Sequence, residues 1–339
     1  MNSTLFEKES SAVRSAHEES VPVVRKKLLC ATDLAPRSDQ AVLRAVLLAK
    51  QMNAEVQFVH AVDDAHRGRV LRMKVNRAQA RLMSQSERAM EHAPQDATAA
   101  VRLGKPLQVI AAAADEWNPD LIVMAAPRRR RMDRLIGTTA ERVIHATQRP
   151  VLIVSGAAQR HYENVVIATD LSAASVHVAR TALTMGMLED ACAWVVHAFQ
   201  PPYHGMTASA ALVEEQIADH KRRWRDVVTR DLVQELVEEG VEPSRVHVAV
   251  EAARPLDAIE LALQRANPEL LVIGASRWFM LKRLLFGSVA DQVLRRIQCD
   301  ILAISPPAGS RRGERSVVNR GFDPGAATQR RESGSALPV

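Results

Sequence analysis

KKLLCATDLAPRSDQAVLRA, residues 26–45, comes back later in the chain as ENVVIATDLSAASVHVARTA, residues 163–182. The correspondence continues in the same order. NPDLIVMAAPRRRRMDRLIGTTAERVI, from Asn118, matches NPELLVIGASRWFMLKRLLFGSVADQVL, from Asn267, and RPVLIVS, from Arg149, matches CDILAIS, from Cys299. Three matches in one order mark an internal duplication. A period of about 140 residues is far too long for a solenoid repeat, so the units are whole domains.

Each unit alternates short apolar runs with helical patterns. In the first copy the strands are predicted at Lys27–Thr32, Ala54–Val62, Ala97–Leu103, Leu121–Ala125 and Val151–Ser155. Between them, Ser38 is placed to cap a helix whose apolar face is Val42, Ala45, Val46, Ala49 and Met52, spaced by three and four. Further helices are expected at Val70–Glu91, Leu107–Trp117 after Pro106, and Thr138–Thr147. The second copy repeats the scheme, with strands at Asn164–Thr169, Ala193–Phe199, Arg245–Val250, Leu270–Gly274 and Ile301–Ser305. Its helices fall near Ala174–Met187, Ala210–Glu239, Pro255–Ala266 and Ser288–Ile297. Wholly apolar strands separated by helices predict a parallel sheet covered on both faces. The fold class is therefore α/β: two tandem doubly wound domains, residues 24–156 and 162–307, each a five-stranded parallel sheet. In such sheets ligands bind at the carboxyl ends of the strands, where the strand order reverses.

Composition narrows the function classes. Apolar residues make up 47% and aromatics only 4%, so the cores must be built from Val, Leu, Ile and Ala. No apolar run approaches the roughly 18 residues of a membrane span, and the N-terminus lacks the basic and apolar regions of a signal peptide. A cytoplasmic protein without a membrane partner is expected. Cys30, Cys192 and Cys299 lie far apart in strand-like runs and read as reduced core residues. The formal charge is +6, but residues 308–339 carry six arginines against three acids in a Gly/Ser/Pro-rich stretch. That tail and residues 1–23 read as disordered, and nucleic-acid binding is not favoured.

The ends of the strands carry a resemblance to the universal stress protein family, covering both copies. The family opens with an apolar strand running into an Asp, as in CATDLA (Asp33) and IATDLS (Asp170). Its nucleotide-binding members have G-x2-G-x9-G-[ST] after the fourth strand. The second copy comes close, with Gly274, Arg277, Gly287 and Ser288 followed by Val289. The resemblance implies an adenine nucleotide alpha hydrolase-like fold, and ATP as the cofactor, in copy two before copy one, with Mg2+ only as its counter-ion. It also implies that the adenosine end lies against Ala168, Thr169 and Asp170, with Asp170 accepting hydrogen bonds from ribose or the adenine edge. A Gly-Ser at a helix start offers free N–H groups to phosphate. Two departures stand out. Arg277 replaces the second glycine, and copy one has Ala125 and Arg128 in place of both, with Asp33, Gly137 and Thr138 as its remaining matches.

The other features have plainer readings. His60 and His197 occupy equivalent strand positions and read as satisfied core residues. Arg128–Arg131 reads as a solvated loop, and Trp278, Phe279 and Met280 as packing residues. No Ser-His-Asp order, Walker A sequence or HExxH is present, and nothing points to a catalyst. The resemblance implies a regulatory or protective binding protein of the stress response. The alternatives are an ATP-binding switch with slow hydrolysis in copy two, or a scaffold using the basic loop or the tail to hold a protein partner. Family domains dimerise, often through the fifth strand. The expected pairing here is an intrachain pseudo-dimer between Val151–Ser155 and Ile301–Ser305, which a homodimer would extend.

Overall fold

The computed structural model describes residues 25–65, 67–91, 96–126, 139–158, 160–199, 210–275 and 299–305, with the side chains of 210–213 left aside. The first copy runs β1 (Lys27–Ala31), α1 (Pro36–Met52), β2 (Glu55–Val62), α2 (Gly68–Met90), β3 (Ala97–Leu103), α3 (Pro106–Trp117), β4 (Leu121–Ala125), α4 (Thr139–Thr147) and β5 (Val151–Val154). The second runs β6 (Asn164–Thr169), α5 (Ala173–Thr184), β7 (Cys192–Phe199), α6 (Ala210–Val228), a π turn at Thr229–Val233, α7 (Gln234–Glu238), β8 (Val246–Ala252), α8 (Pro255–Ala266), β9 (Leu270–Gly274) and β10 (Asp300–Ile304).

Ten strands form one sheet in the order β3-β2-β1-β4-β5-β10-β9-β6-β7-β8. Within each copy all pairs are parallel, and the copies meet through one antiparallel pair, Ile153 opposite Ile301 and Val151 opposite Ala303. The alternation of side chains explains the two-layer cover. Leu28, Cys30, Val165 and Ile167 face the core under α1, α2, α5 and α6, while Leu29, Ala31 and Val166 face that under α3, α4 and α8. Both β5 and β10 are buried along their whole length, as central strands of a covered sheet must be.

Local chemistry sets the helix ends. Asn53, Asn118 and Asn267 terminate α1, α3 and α8 in the left-handed conformation, with φ of 49°, 54° and 41°. Asparagine tolerates that region best among residues with a side chain, and at Asn118 and Asn267 a proline follows at once, which cannot continue a helix. Pro36, Pro106 and Pro255 open their helices, where the missing N–H costs nothing. Three expectations are corrected here. Ser38 is not the cap of α1, which starts at Pro36 after Ala35; Asp33 Oδ1 takes the Ala35 N–H (3.0 Å) and the Ser38 hydroxyl (2.7 Å) instead. The helix expected at 210–239 is divided by the π turn, and Pro243–Arg245 forms a 3₁₀ turn that delays β8 to Val246. Cys192 is only half-buried, whereas Cys30 and Cys299 are buried, and burial pushes the Cys299 thiol up to about 12. The expected helix at 288–297 lies outside the described residues.

A polar network locks the copies together. Asp300, at the start of β10, is 1% exposed and accepts the Ser155 and Gly156 N–H groups at 2.8 and 2.9 Å and the Tyr162 hydroxyl at 2.8 Å. The Arg44 guanidinium from α1 completes it, with Nε 3.2 Å from Asp300 Oδ2 and its plane 4.2 Å from the Tyr162 ring centroid. Arg44 also donates to the carbonyls of Arg160 (2.7 Å) and Ala157 (3.4 Å). Burial, and then the Asp300 carboxylate, hold the Tyr162 hydroxyl well above its usual pKa, so it remains a donor. The duplication does not mirror this arrangement, since Thr181 and Pro150 stand at the positions equivalent to Arg44 and Asp300.

Candidate functional site

Each copy reverses strand order once, between β1 and β4 and between β6 and β9, and the turns that leave β1 and β6 are built alike. In copy one the Thr32 hydroxyl accepts the Leu34 N–H (3.0 Å) and donates to Gln85 of α2 (2.8 Å). In copy two the Thr169 hydroxyl accepts the Leu171 N–H (3.0 Å) and donates to Ser175 of α5 (2.9 Å). Both turns force a buried leucine into the left-handed region, Leu34 at φ 58° and Leu171 at φ 59°. That conformation costs an ordinary side chain about 1–2 kcal/mol. Burying a leucine returns about 1.5–3 kcal/mol, which keeps the turn in place. The turn thereby places the intervening aspartate just past the carboxyl end of its strand.

The histidines brace these turns from the neighbouring strands. His60 Nδ1 lies 2.8 Å from the Thr32 carbonyl, and His197 Nδ1 lies 3.3 Å from the Thr169 carbonyl. His197 also packs against the Trp224 ring, with centroids 4.8 Å apart. The sequence places both in the core; the tertiary structure sets each ring nitrogen against the carbonyl of the neighbouring strand's last residue.

The two crevices then diverge. In copy one the Asp33 carboxylate is engaged on both oxygens, Oδ1 by Ala35 and Ser38 and Oδ2 by an ion pair to Arg37. In copy two Asp170 is half-buried and its Oδ1 takes the Ser172 N–H (3.1 Å) and hydroxyl (2.5 Å). The position equivalent to Arg37 is Ala174, which brings no cation. The strands also part sooner in copy two. Pairing of β1 with β4 runs to Ala31 opposite Met124, whereas β6 with β9 stops at Ile167 opposite Val272. Ala168 and Thr169 therefore leave the ladder beside Ile273 and Gly274.

Gly274 supplies the sharpest observation. Its φ is not left-handed, and among the described residues a Cβ built there would meet only Val178 Cγ2, at 3.8 Å, an ordinary contact. The same place in copy one holds a Cβ already, that of Ala125. Neither backbone conformation nor packing among the described residues calls for glycine at 274. Ala168, Thr169, Asp170 and Gly274 converge at one switch point, and Asp33 stands alone at the other. Arg277, Gly287, Ser288, Val289, Gly137, Thr138, the Arg128–Arg131 run and Trp278–Met280 lie outside the described residues.

Two doubly wound units with matched crevices at their switch points define a tandem α/β protein with one potential ligand site per copy. The sequence profile described as the Universal stress protein family matches residues 25–155 and 161–305, and the chain belongs to that family. A curated relative, Universal stress protein MJ0531 of Methanocaldococcus jannaschii, is 26% identical over 150 residues, 43% of this chain and 84% of its own length. Among solved structures, a universal stress protein from Archaeoglobus fulgidus DSM 4304 superposes with TM-score 0.57 at 18% identity, over 83% of this chain and 97% of its own. A functionally unknown protein, PA1789 of Pseudomonas aeruginosa PAO1, does so with TM-score 0.52 at 15% identity, over 84% of this chain and 93% of its own. These likenesses establish the shared two-unit fold.

Proposed function

We propose that the chain is a nucleotide-responsive binding protein of the stress response, in which copy two holds an adenine nucleotide and copy one does not. Gly274 carries the reading: among the described residues nothing in the backbone conformation or packing requires glycine there, and close approach by a ligand is a reason to omit the side chain. The early parting of β6 from β9 supports it, since it leaves room beside Asp170 at the carboxyl end of β6. Asp170 would accept from hydroxyl or amino donors of the ligand, and the backbone at Gly274 would face its phosphates. ATP with Mg2+ is the favoured ligand, and regulation or protection by binding is favoured over catalysis. In copy one Arg37 already occupies the Asp33 carboxylate, the charge a ligand's donors would need.

Calorimetric titration of the full chain with ATP and Mg2+ tests this. One site per chain is expected, lost in Gly274→Val and retained in Asp33→Ala. Absence of any heat with ATP, or loss on Asp33→Ala but not on Gly274→Val, would sink the assignment.

A further inference from the structure

The two crevices are tied to the helices above them by different means. In copy one the Thr32 hydroxyl reaches Gln85 of α2 (2.8 Å), and Gln85 in turn donates to Asp39 of α1 (2.5 Å), so hydrogen bonds join the turn to two helices. In copy two the Thr169 hydroxyl is engaged nearby, by Ser175, and the connection to α6 is made by rings. His197 stands beside Thr169 in register, with Nδ1 3.3 Å from its carbonyl, and that acceptor fixes a hydrogen on Nδ1. The Trp224 ring of α6 lies against the imidazole with centroids 4.8 Å apart and planes tilted by 41°. One helical turn earlier, His220 stacks on Phe199, the last residue of β7, at 6.1 Å and 16°. Helix α2 has no aromatic residue with which to do the same.

Helix α6 and its continuation α7 are irregular where this contact needs them to be. Trp224, Val228, Leu232 and Leu236 follow one another by four, and all pack against the same core. In a helix of about 3.6 residues per turn, each step of four overshoots by about 40°, or about 120° over three steps. Leu236 would then leave the face that carries Trp224. The π turn at Thr229–Val233 accommodates one extra residue, about 100° of rotation, and cancels most of the drift. In α2 the core positions Leu71, Val75, Ala78 and Leu82 alternate steps of four and three, and that helix runs from Gly68 to Met90 without a break.

We infer that Trp224, acting through His197, is a positioning residue of the copy-two crevice, and that α6 is the element through which this site is regulated. The regulatory part rests on copy two being the nucleotide site. Thr169 belongs to the turn that holds Leu171 at positive φ and sets Asp170 just past β6. A shift of Trp224 moves the imidazole, and with it the Thr169 carbonyl at the point where β6 has parted from β9. The π turn supplies the second seat for the helix: passing its extra residue along turns Trp224 by about 100° relative to Leu236. Coupling of this kind is reciprocal. If the seat of α6 sets ligand affinity, an occupied crevice holds α6 in that seat by the same factor.

Amide hydrogen exchange of the full chain, read residue by residue, tests the positioning role without ligand. Trp224→Ala should speed exchange about tenfold at Leu171 and Ser172, whose N–H groups are held by Thr169 and Asp170, the weight of one aromatic pair. Leu34 and Ala35 of copy one should exchange as in the parent, and Trp224→Phe, which keeps a ring, should stay within about twofold throughout. Leu236→Ala is the control for lost packing: it removes core contacts at the far end of the same face and should leave Leu171 and Ser172 unchanged. Titration with ATP and Mg2+ then reads the site. Trp224→Ala should weaken affinity about tenfold at unchanged stoichiometry, and Leu236→Ala should not. The inference is overturned if Trp224→Ala leaves both amides as protected as before, if Leu236→Ala loosens them equally, or if they loosen while ATP affinity holds. A parent chain that gives no heat with ATP refutes the nucleotide assignment, and the exchange rates still decide for or against Trp224.

Discussion

Replacing Asp300 by alanine removes one acceptor from four donors at once, and its cost can be worked from the geometry. Arg44 Nε lies 3.2 Å from the carboxylate, and both side chains are at most 4% exposed. At an effective dielectric of about 20 the bare attraction is about 5 kcal/mol, much of it already offset by desolvating the two ions. With Asp300 gone, Arg44 keeps the carbonyls of Arg160 and Ala157 and the Tyr162 ring but no anion among the described residues, and the Ser155 and Gly156 N–H groups lose their acceptor. Breaking one side of such a buried pair costs about 3–5 kcal/mol. Urea unfolding followed by far-ultraviolet circular dichroism should show that loss for Asp300→Ala. Glu163→Gln is the control. It breaks an exposed pair with Arg160, whose side chains are 68% and 51% exposed, and should cost under about 1 kcal/mol. A cycle of Arg44→Met, Asp300→Asn and the double variant isolates the coupling. The double variant should be more stable than the sum of its parts by at least about 1.5 kcal/mol. Additivity within about 0.5 kcal/mol would refute the claim that these residues act as a unit, and a cost below about 1 kcal/mol for Asp300→Ala would refute the charge argument altogether.

Other consequences are as readily checked. Gly274→Ala should leave stability unchanged or raise it by about 0.4–1 kcal/mol, by restricting the unfolded chain, while lowering nucleotide affinity in titration. Arg37→Ala breaks a pair whose side chains are 35% and 42% exposed, so thermal unfolding should shift by no more than about 1 kcal/mol allows. Burial would raise the Glu251 carboxyl, but hydrogen-bonded Lys221 and Arg265 outweigh it and hold its pKa below the usual 4.5. A carboxyl depressed in the folded state contributes stability above its unfolded pKa and loses it as pH falls through the folded one. Glu251→Gln should therefore flatten the decline of unfolding midpoint with acid below about pH 4.5 and leave the acid limb otherwise intact.

The parts of this molecule that were legible in the sequence are those governed by short-range periodicity. Leu121–Ala125, Asn164–Thr169, Leu270–Gly274 and the helix Pro255–Ala266 appear with the bounds their patterns imply. Apolar runs of that length between proline and asparagine leave the backbone few choices. Ser38 was misread because capping depends on which side chain reaches the free N–H groups, and Asp33 reaches the Ala35 N–H first. The π turn at Thr229–Val233 has no residue signature, as it absorbs one extra backbone position while helical spacing continues. At the candidate site the aspartates and Gly274 were readable as types. The left-handed leucines behind them were not, because leucine at positive φ runs against its own preference and is held there by burial.

Sequence alone determined that there are two copies of one doubly wound unit, since duplication and strand order follow from repeated local pattern. It also located the switch-point residues, because those sit at the ends of the apolar runs. Tertiary structure decided which side chains meet where the copies join. Arg44 lies off the apolar face of its helix, and only the second copy packing over it makes it a buried ion, 3% exposed, opposite Asp300. The inequality of the crevices is of the same kind. It rests on Arg37 closing onto Asp33 and on where the β6 and β9 ladder ends, and distances between segments far apart in the chain are set by packing, not by local preference.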